Sequence, residues 1–278
     1  MTTYDLKQSC LLSYEDTVLN EIKSQYVDVG KLAVHYFVCG QGDPVVIVHG
    51  GGGEAANGWL HIVEKLSNHF TVYVPDLPGF GDTQAMKHDF RLSDFAEFIK
   101  DFGDKLGLKR FHLLGHSMGG GIALYYALAY PGHIKKLVLL NSMCLGKEIA
   151  LWIRLLTSSA FYLWEAIPTF FKALGCLIRP PFNRNKSMTS FPSFRVKLGN
   201  SIANFKGQNV VLLSRLHEVA MPTLVVWGAR DSILPVRQAQ AAAELIPDSQ
   251  LYVFEDRGHD VHKEETPELS QLLATFLG

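Results

Sequence analysis

The sequence predicts an α/β core built on a mostly parallel sheet, and three observations carry that prediction. Short apolar runs rich in β-branched residues recur along the chain, each bounded by Gly, Pro, Asp or Asn. Helical patterns fill the gaps between them, the alternation expected of strands buried on both faces. One long interval breaks the alternation, as an insertion into a single core would.

The elements follow in order. QYVDV and KLAVHYFV on either side of Gly30 resemble an antiparallel hairpin that leads into the sheet. The buried-strand runs are VVIV (45–48), TVYV (71–74), FHLL (111–114), KLVLL (136–140), TLVVW (223–227) and QLYVF (250–254). Helical patterns cover 54–67, 92–106, 119–130, 236–246 and 267–277, the second with Ser93 as its cap. Residues 143–215 carry helical patterns such as KEIALWIRLLTSSAFYLWEAI, a Pro-rich break at Arg179-Pro180-Pro181, and no buried strand. This predicts a helical cap over 143–215 on a core formed by 1–142 and 216–278.

Bulk properties exclude several classes. A chain of 278 residues with 47% hydrophobic and 19% charged residues is neither disordered nor fibrous, and a formal net charge of −1 argues against nucleic acid as the main partner. Cys10, Cys39, Cys144 and Cys176 have neither zinc-site nor disulfide-framework spacing. No signal-peptide core or membrane-length apolar run is visible, so a cytoplasmic protein without stable membrane insertion is expected, with a small molecule as partner. No metal and no cofactor are expected, and oligomeric state is not encoded in any visible pattern. The interval 143–215 holds ten basic residues against two acids, an excess of +8 that would attract an anionic substrate or simply solvate an exposed face.

The chemistry concentrates at strand ends. In GHSMGG (115–120) the pattern G-x-S-x-G stands between a strand and a helix, which puts Ser117 on a strained turn at the carboxyl edge of the sheet. A serine nucleophile needs a base and a group to orient it. Asp231 follows the strand TLVVW and His259 follows QLYVF, in the chain order Ser, Asp, His expected of that turn. Asp248 precedes its strand, Asp256 and Asp260 flank His259, and His262 competes with His259 as the base. The glycine run after His49 suggests bare backbone against a ligand, with the N–H groups of Gly51 and Met118 as oxyanion donors. His49 itself reads as a structural hydrogen-bonder. Gly52, Glu54, His116 and Trp152 are candidate substrate contacts. Ile149, Trp152, Ile153 and Leu156 share one helical face, suited to core packing or to a lipid-facing stripe.

Taken together, VHGGGG (48–53), VPDLPGFGDT (74–83), GHSMGG (115–120), MPTLVVWGARDSILP (221–235) and DRGHD (256–260) resemble the α/β-hydrolase-fold serine hydrolases over nearly the whole chain. The resemblance implies an eight-stranded, mostly parallel sheet and a cap after the sixth strand. Dehalogenases and epoxide hydrolases of that fold carry an aspartate nucleophile where this chain has Ser117. Hydrolysis of a carboxylic ester of a small or medium apolar acid is the first reading. Carbon-carbon hydrolysis of ring-fission products (vinylogous diketones) is the second, although His116 and Asp260 stand where those enzymes commonly have Asn and Trp. A small-molecule receptor with weak or single turnover is the third.

Overall fold

The computed structural model describes residues 21–52, 55–85, 91–156, 198 and 201–278. A hairpin opens the chain: β1 (Lys23–Val29) pairs antiparallel with β2 (Leu32–Cys39), and Gly30 turns between them at φ 58°. The other long strands are β3 (Asp43–Val48), β4 (Phe70–Pro75), β5 (Phe111–His116), β6 (Ile134–Leu140), β9 (Thr223–Gly228) and β10 (Ser249–Phe254). They join the hairpin in one eight-stranded sheet of order β1-β2-β4-β3-β5-β6-β9-β10. Every pairing from β4 to β10 is parallel.

A parallel sheet must be covered on both faces, and helices do this. α1 (Leu60–Leu66) and α7 (Thr266–Leu277) pack together on one face, where Ile62, Val63, Leu269 and Leu273 meet Ile47, Val72 and Val226. α2 (Leu92–Lys105) and α3 (Met118–Ala129) cover the other, burying Phe95, Phe102 and Ile122 against Leu113 and Leu139. α5 (Arg237–Leu245) adds Ala239 and Ala242 to that second core beside β9. Cys39 and Cys144 are buried thiols outside any disulfide.

The structure departs from the sequence reading in detail. QLYVF reads as a strand buried on both faces, yet β10 is the sheet's edge and only Phe254 in it is buried. The pattern over 54–67 resolves into a 3₁₀ turn, Ala55–Trp59, before α1 begins. Ser93 does not cap α2: the helix begins one residue earlier, and the Asp94 carboxylate accepts the Arg91 N–H at 2.9 Å. Most of the expected cap lies outside the described residues. What is described of 143–215 includes α4 (Leu151–Leu156), a small antiparallel ladder of β7 (Ala203–Asn204) with β8 (Gly207–Gln208), and the 3₁₀ turn Leu213–Glu218. The ladder is absent from the purely helical expectation, because two-residue strands leave no periodic signal. On α4 the expected face divides: Ile149 just before it is buried, Ile153 is half-buried, and Trp152 is 53% exposed. Among the described residues no helix is long and apolar enough to cross a membrane.

One buried group at the amino end of β5 makes the fold acid-sensitive. Neither nitrogen of His112 has a hydrogen-bond partner, and Asp43 Oδ2 stands 3.8 Å from Nε2. Burial, helped by Lys135 and Lys136 and opposed by Asp43, pushes the imidazole down to about 4. The unfolded chain binds the proton near the ordinary histidine value of about 6.5 and the folded chain does not. Stability is therefore complete above that value and is lost as pH falls toward 4. Urea midpoints of the wild type should drop between pH 7.5 and pH 5, and His112→Leu should remove part of that drop. An equal drop in both proteins contradicts the assignment.

Candidate functional site

The sharp passage from β5 to α3 places Ser117. Its backbone sits at φ 53° and ψ −117°, a conformation costly for a residue with a side chain. The turn survives because its neighbours are bare: a Cβ on Gly115 would overlap the Gly119 carbonyl oxygen, and one on Gly119 would overlap that of Val48. Four backbone bonds hold it, from Ser117 N–H to Leu140 O at 3.0 Å and to Ser117 O from the N–H groups of Gly120 at 3.0 Å, Gly121 at 3.2 Å and Met143 at 2.9 Å. Ser117 thereby projects at the carboxyl edge of the sheet, where the loops after β9 and β10 also arrive.

Those loops complete a line of hydrogen bonds. His259 Nε2 lies 2.9 Å from Ser117 Oγ, and His259 Nδ1 lies 2.8 Å from Asp231 Oδ2. The Asp231 side chain is wholly buried, and its other oxygen accepts the N–H groups of Ile233 and Leu234 at 2.7 and 2.9 Å. Burial alone would raise its carboxyl. Hydrogen bonding and charge from His259, with further bonds from Leu234 and Asn141, outweigh that and hold it below the ordinary value. A carboxylate so placed favours the His259 tautomer with its proton on Nδ1, in which Nε2 is able to accept a proton from Ser117 Oγ.

Asn141 is a site residue that sequence reasoning missed. It follows β6 directly, is fully buried at φ 42°, and donates from Nδ2 to Asp231 Oδ2 at 2.7 Å. Its signal was a polar residue at the carboxyl end of a buried strand, the position that also yields Ser117 and Asp231. Asn141→Ala should lower kcat roughly ten- to hundredfold with little change in KM, the worth of one hydrogen bond to a charged group. An unchanged kcat would confine Asn141 to stability.

The glycine run lies against the serine. A Cβ on Gly50 would stand 3.3 Å from Ser117 Cβ, and one on Gly51 3.8 Å from Met118 Sδ. His49 anchors this loop, donating from Nδ1 to Gly50 O at 2.7 Å and accepting the Leu77 N–H on Nε2 at 3.0 Å, and burial pushes its imidazole below the ordinary histidine value. Gly51, Gly52, His116, Ser117, Met118 and Trp152 all line one cavity of about 390 Å³. Glu54 lies outside the described residues, as do Arg179, Arg184 and Arg195 of the basic interval.

Behind His259 stands an aromatic wall. His262 stacks on Trp59 with ring centroids 4.3 Å apart and planes 8° apart, whereas the ring that bonds Ser117 is that of His259. His116 donates from Nε2 to the His259 carbonyl oxygen at 3.0 Å. Burial, with the neighbouring imidazoles, holds both His116 and His262 well below the ordinary histidine range.

Comparison with known proteins agrees with this architecture. The family model for the alpha/beta hydrolase fold matches residues 43–266. A 2-hydroxy-6-oxononadienedioate/2-hydroxy-6-oxononatrienedioate hydrolase of Klebsiella pneumoniae is 28% identical over 276 residues, covering 88% of this chain and 91% of that protein. Among solved structures, 2-hydroxy-6-oxo-6-phenylhexa-2,4-dienoate hydrolase from a Rhodococcus strain superposes with a TM-score of 0.74 at 22% identity, over 92% of this chain and 99% of that one. A Bacillus subtilis carboxylesterase superposes with a TM-score of 0.68 at 21% identity, over 92% of each chain. At these identities the two superpositions speak to fold alone. The match over 43–266, containing both the serine turn and the loops after β9 and β10, establishes that the chain belongs to the α/β hydrolase fold family.

Proposed function

We propose that the protein is a serine hydrolase of carboxylic esters with a small or medium apolar acyl group. The observation that carries the reading is the unbroken line from Ser117 Oγ through His259 to Asp231 on the wall of a mainly apolar cavity. Ser117 attacks the ester carbonyl while His259 Nε2 takes its proton, and Asp231 stabilises the imidazolium that forms. The backbone N–H groups of Gly51 and Met118 receive the developing oxyanion. His259 returns the proton to the leaving alcohol, and water repeats the cycle on the acyl-enzyme. Met118, Met143, Ile149, Trp152, Ile202 and Ile233 supply the apolar lining that would hold the acyl chain. The charged side chains lining the cavity among the described residues, Asp260 and Lys263, stand 3.7 Å apart as a pair.

Carbon-carbon hydrolysis of a vinylogous diketone is the second reading, favoured by relatives such as the Klebsiella pneumoniae protein, named as a hydrolase of 2-hydroxy-6-oxo dienedioates. Rates on p-nitrophenyl esters of graded chain length and on a dienoate ring-fission product separate the two. Sustained turnover of the esters, rising to an optimum chain length, supports the ester reading. Preference for the dienoate replaces it with the second, and a single product equivalent without further turnover points to a receptor. The same assay at low and high salt, with a neutral ester and its carboxylate-bearing analogue, tests the basic interval. An anionic advantage present only at low salt would mean that its charge selects substrate.

A further inference from the structure

Three side chains next to this line take no part in it. His116 ends β5, Asp260 follows His259 on the loop after β10, and His262 lies in the short helix α6 (Val261–Glu264) that comes next. The ring centroids of His116 and His262 are 4.5 Å apart, and His116 Nε2 stands 3.7 Å from Asp260 Oδ1. One nitrogen from each imidazole and one carboxylate oxygen all fall within 4.8 Å of one another. The two histidines are 5% and 4% exposed, whereas the Asp260 side chain is 46% exposed. The cluster therefore has two fixed ligands and one adjustable one. Nδ1 of His262 is buried without a hydrogen-bond partner, which for an isolated polar atom costs about 1–3 kcal/mol. All three residues line the cavity, so an ion can reach them from solvent.

We propose that His116, Asp260 and His262 form a binding site for a borderline divalent transition ion of the Zn²⁺ class. Two imidazoles and one carboxylate suit such an ion, whereas Mg²⁺ and Ca²⁺ prefer sets made of oxygen. Bonds of about 2.0–2.2 Å bring tetrahedral ligand atoms to about 3.3 Å from one another, so the half-exposed Asp260 side chain closes in. Coordination through His116 Nε2 sends the proton now given to the His259 carbonyl to Nδ1 of the same ring or to solvent. The ion then ties Asp260 and His262 to the end of β5 through His116, in place of the direct bond from His116 to the His259 carbonyl. The site does not depend on which bond the enzyme cleaves, because its donors are all outside the Ser117–His259–Asp231 line.

Direct binding tests it. Metal-free full-length protein is titrated with ZnCl₂ by calorimetry and with Co²⁺ for the visible absorption of a nitrogen- and oxygen-ligated ion. The wild type, Asp260→Ala, His262→Gln and His259→Ala are compared. One Zn²⁺ per chain is expected, weakened roughly tenfold or more in Asp260→Ala and His262→Gln and retained in His259→Ala. His262 packs on Trp59, so its variant can lose the fold; the half-exposed Asp260 then decides alone. Absence of saturable binding, or unchanged affinity in Asp260→Ala, overturns the site. Loss of binding in His259→Ala overturns it too, because the ion would then sit on the base.

Discussion

Ser117→Ala is expected to lower the steady-state rate of hydrolysis by roughly 10³-fold or more while leaving circular dichroism and thermal unfolding close to wild type. The substitution removes the one oxygen that faces His259 Nε2 at 2.9 Å, so no side-chain nucleophile stands at that point. It removes little else. The Ser117 backbone bonds to Leu140, Gly120 and Met143 do not involve the hydroxyl, and Ala retains the Cβ that the turn at φ 53° already accommodates. Residual activity within tenfold of wild type would mean that Ser117 is a turn residue and that the proposed chemistry runs elsewhere.

The second large effect is expected at Asp231→Asn, with a fall in kcat of roughly 10⁴-fold, comparable to removing the equivalent charge in other Ser-His-Asp sites. Oδ2 accepts from His259 Nδ1 at 2.8 Å and from Asn141 Nδ2 at 2.7 Å, while Oδ1 accepts two backbone N–H groups. Four donors converge on two oxygens. An amide must place an NH₂ against one pair, and whichever way it turns, two donors are left facing a donor. If the NH₂ faces His259, the ring flips its tautomer and puts a proton on Nε2, where it can no longer take one from Ser117. The imidazolium also loses its counter-charge. The variant should therefore lose turnover across the whole pH range and regain none of it at high pH. Recovery at high pH would show that deprotonating His259 is enough and that the carboxylate does not set the tautomer.

Much of this molecule was legible in the sequence. Each predicted strand core falls within an observed strand, because a strand covered on both faces needs an unbroken apolar run that few other local structures tolerate. Ser117 was legible from five residues, since the turn requires glycine at 115 and 119 for reasons of space that are local to the turn. Asp231 and His259 were legible from their places just after TLVVW and QLYVF, as the carboxyl ends of parallel strands share one edge of the sheet. The half-exposed face of β10 was not, because lateral order in a sheet is set by crossovers and leaves no mark on a strand's own residues.

What the sequence determined by itself is thus the strands of the main sheet, their parallel sense and the residue types that meet at one edge. Tertiary structure decided the partners. Between His259 and His262, three positions apart, the strand end favours the first in sequence, and packing separates them: one reaches Ser117 and the other stacks on Trp59, some two hundred positions earlier. Asn141 gained its role in the same way, from a hydrogen bond to a carboxylate 90 residues distant. His116, Asp260 and His262 likewise converge only in the folded chain, from the end of β5 and the segment after β10. The physical reason is range. Propensity, turn sterics and hydrophobic periodicity act over a few neighbouring residues and can be read in order, whereas hydrogen bonds and ligand geometry depend on separations of about 3 Å between groups that only the closed sheet brings together.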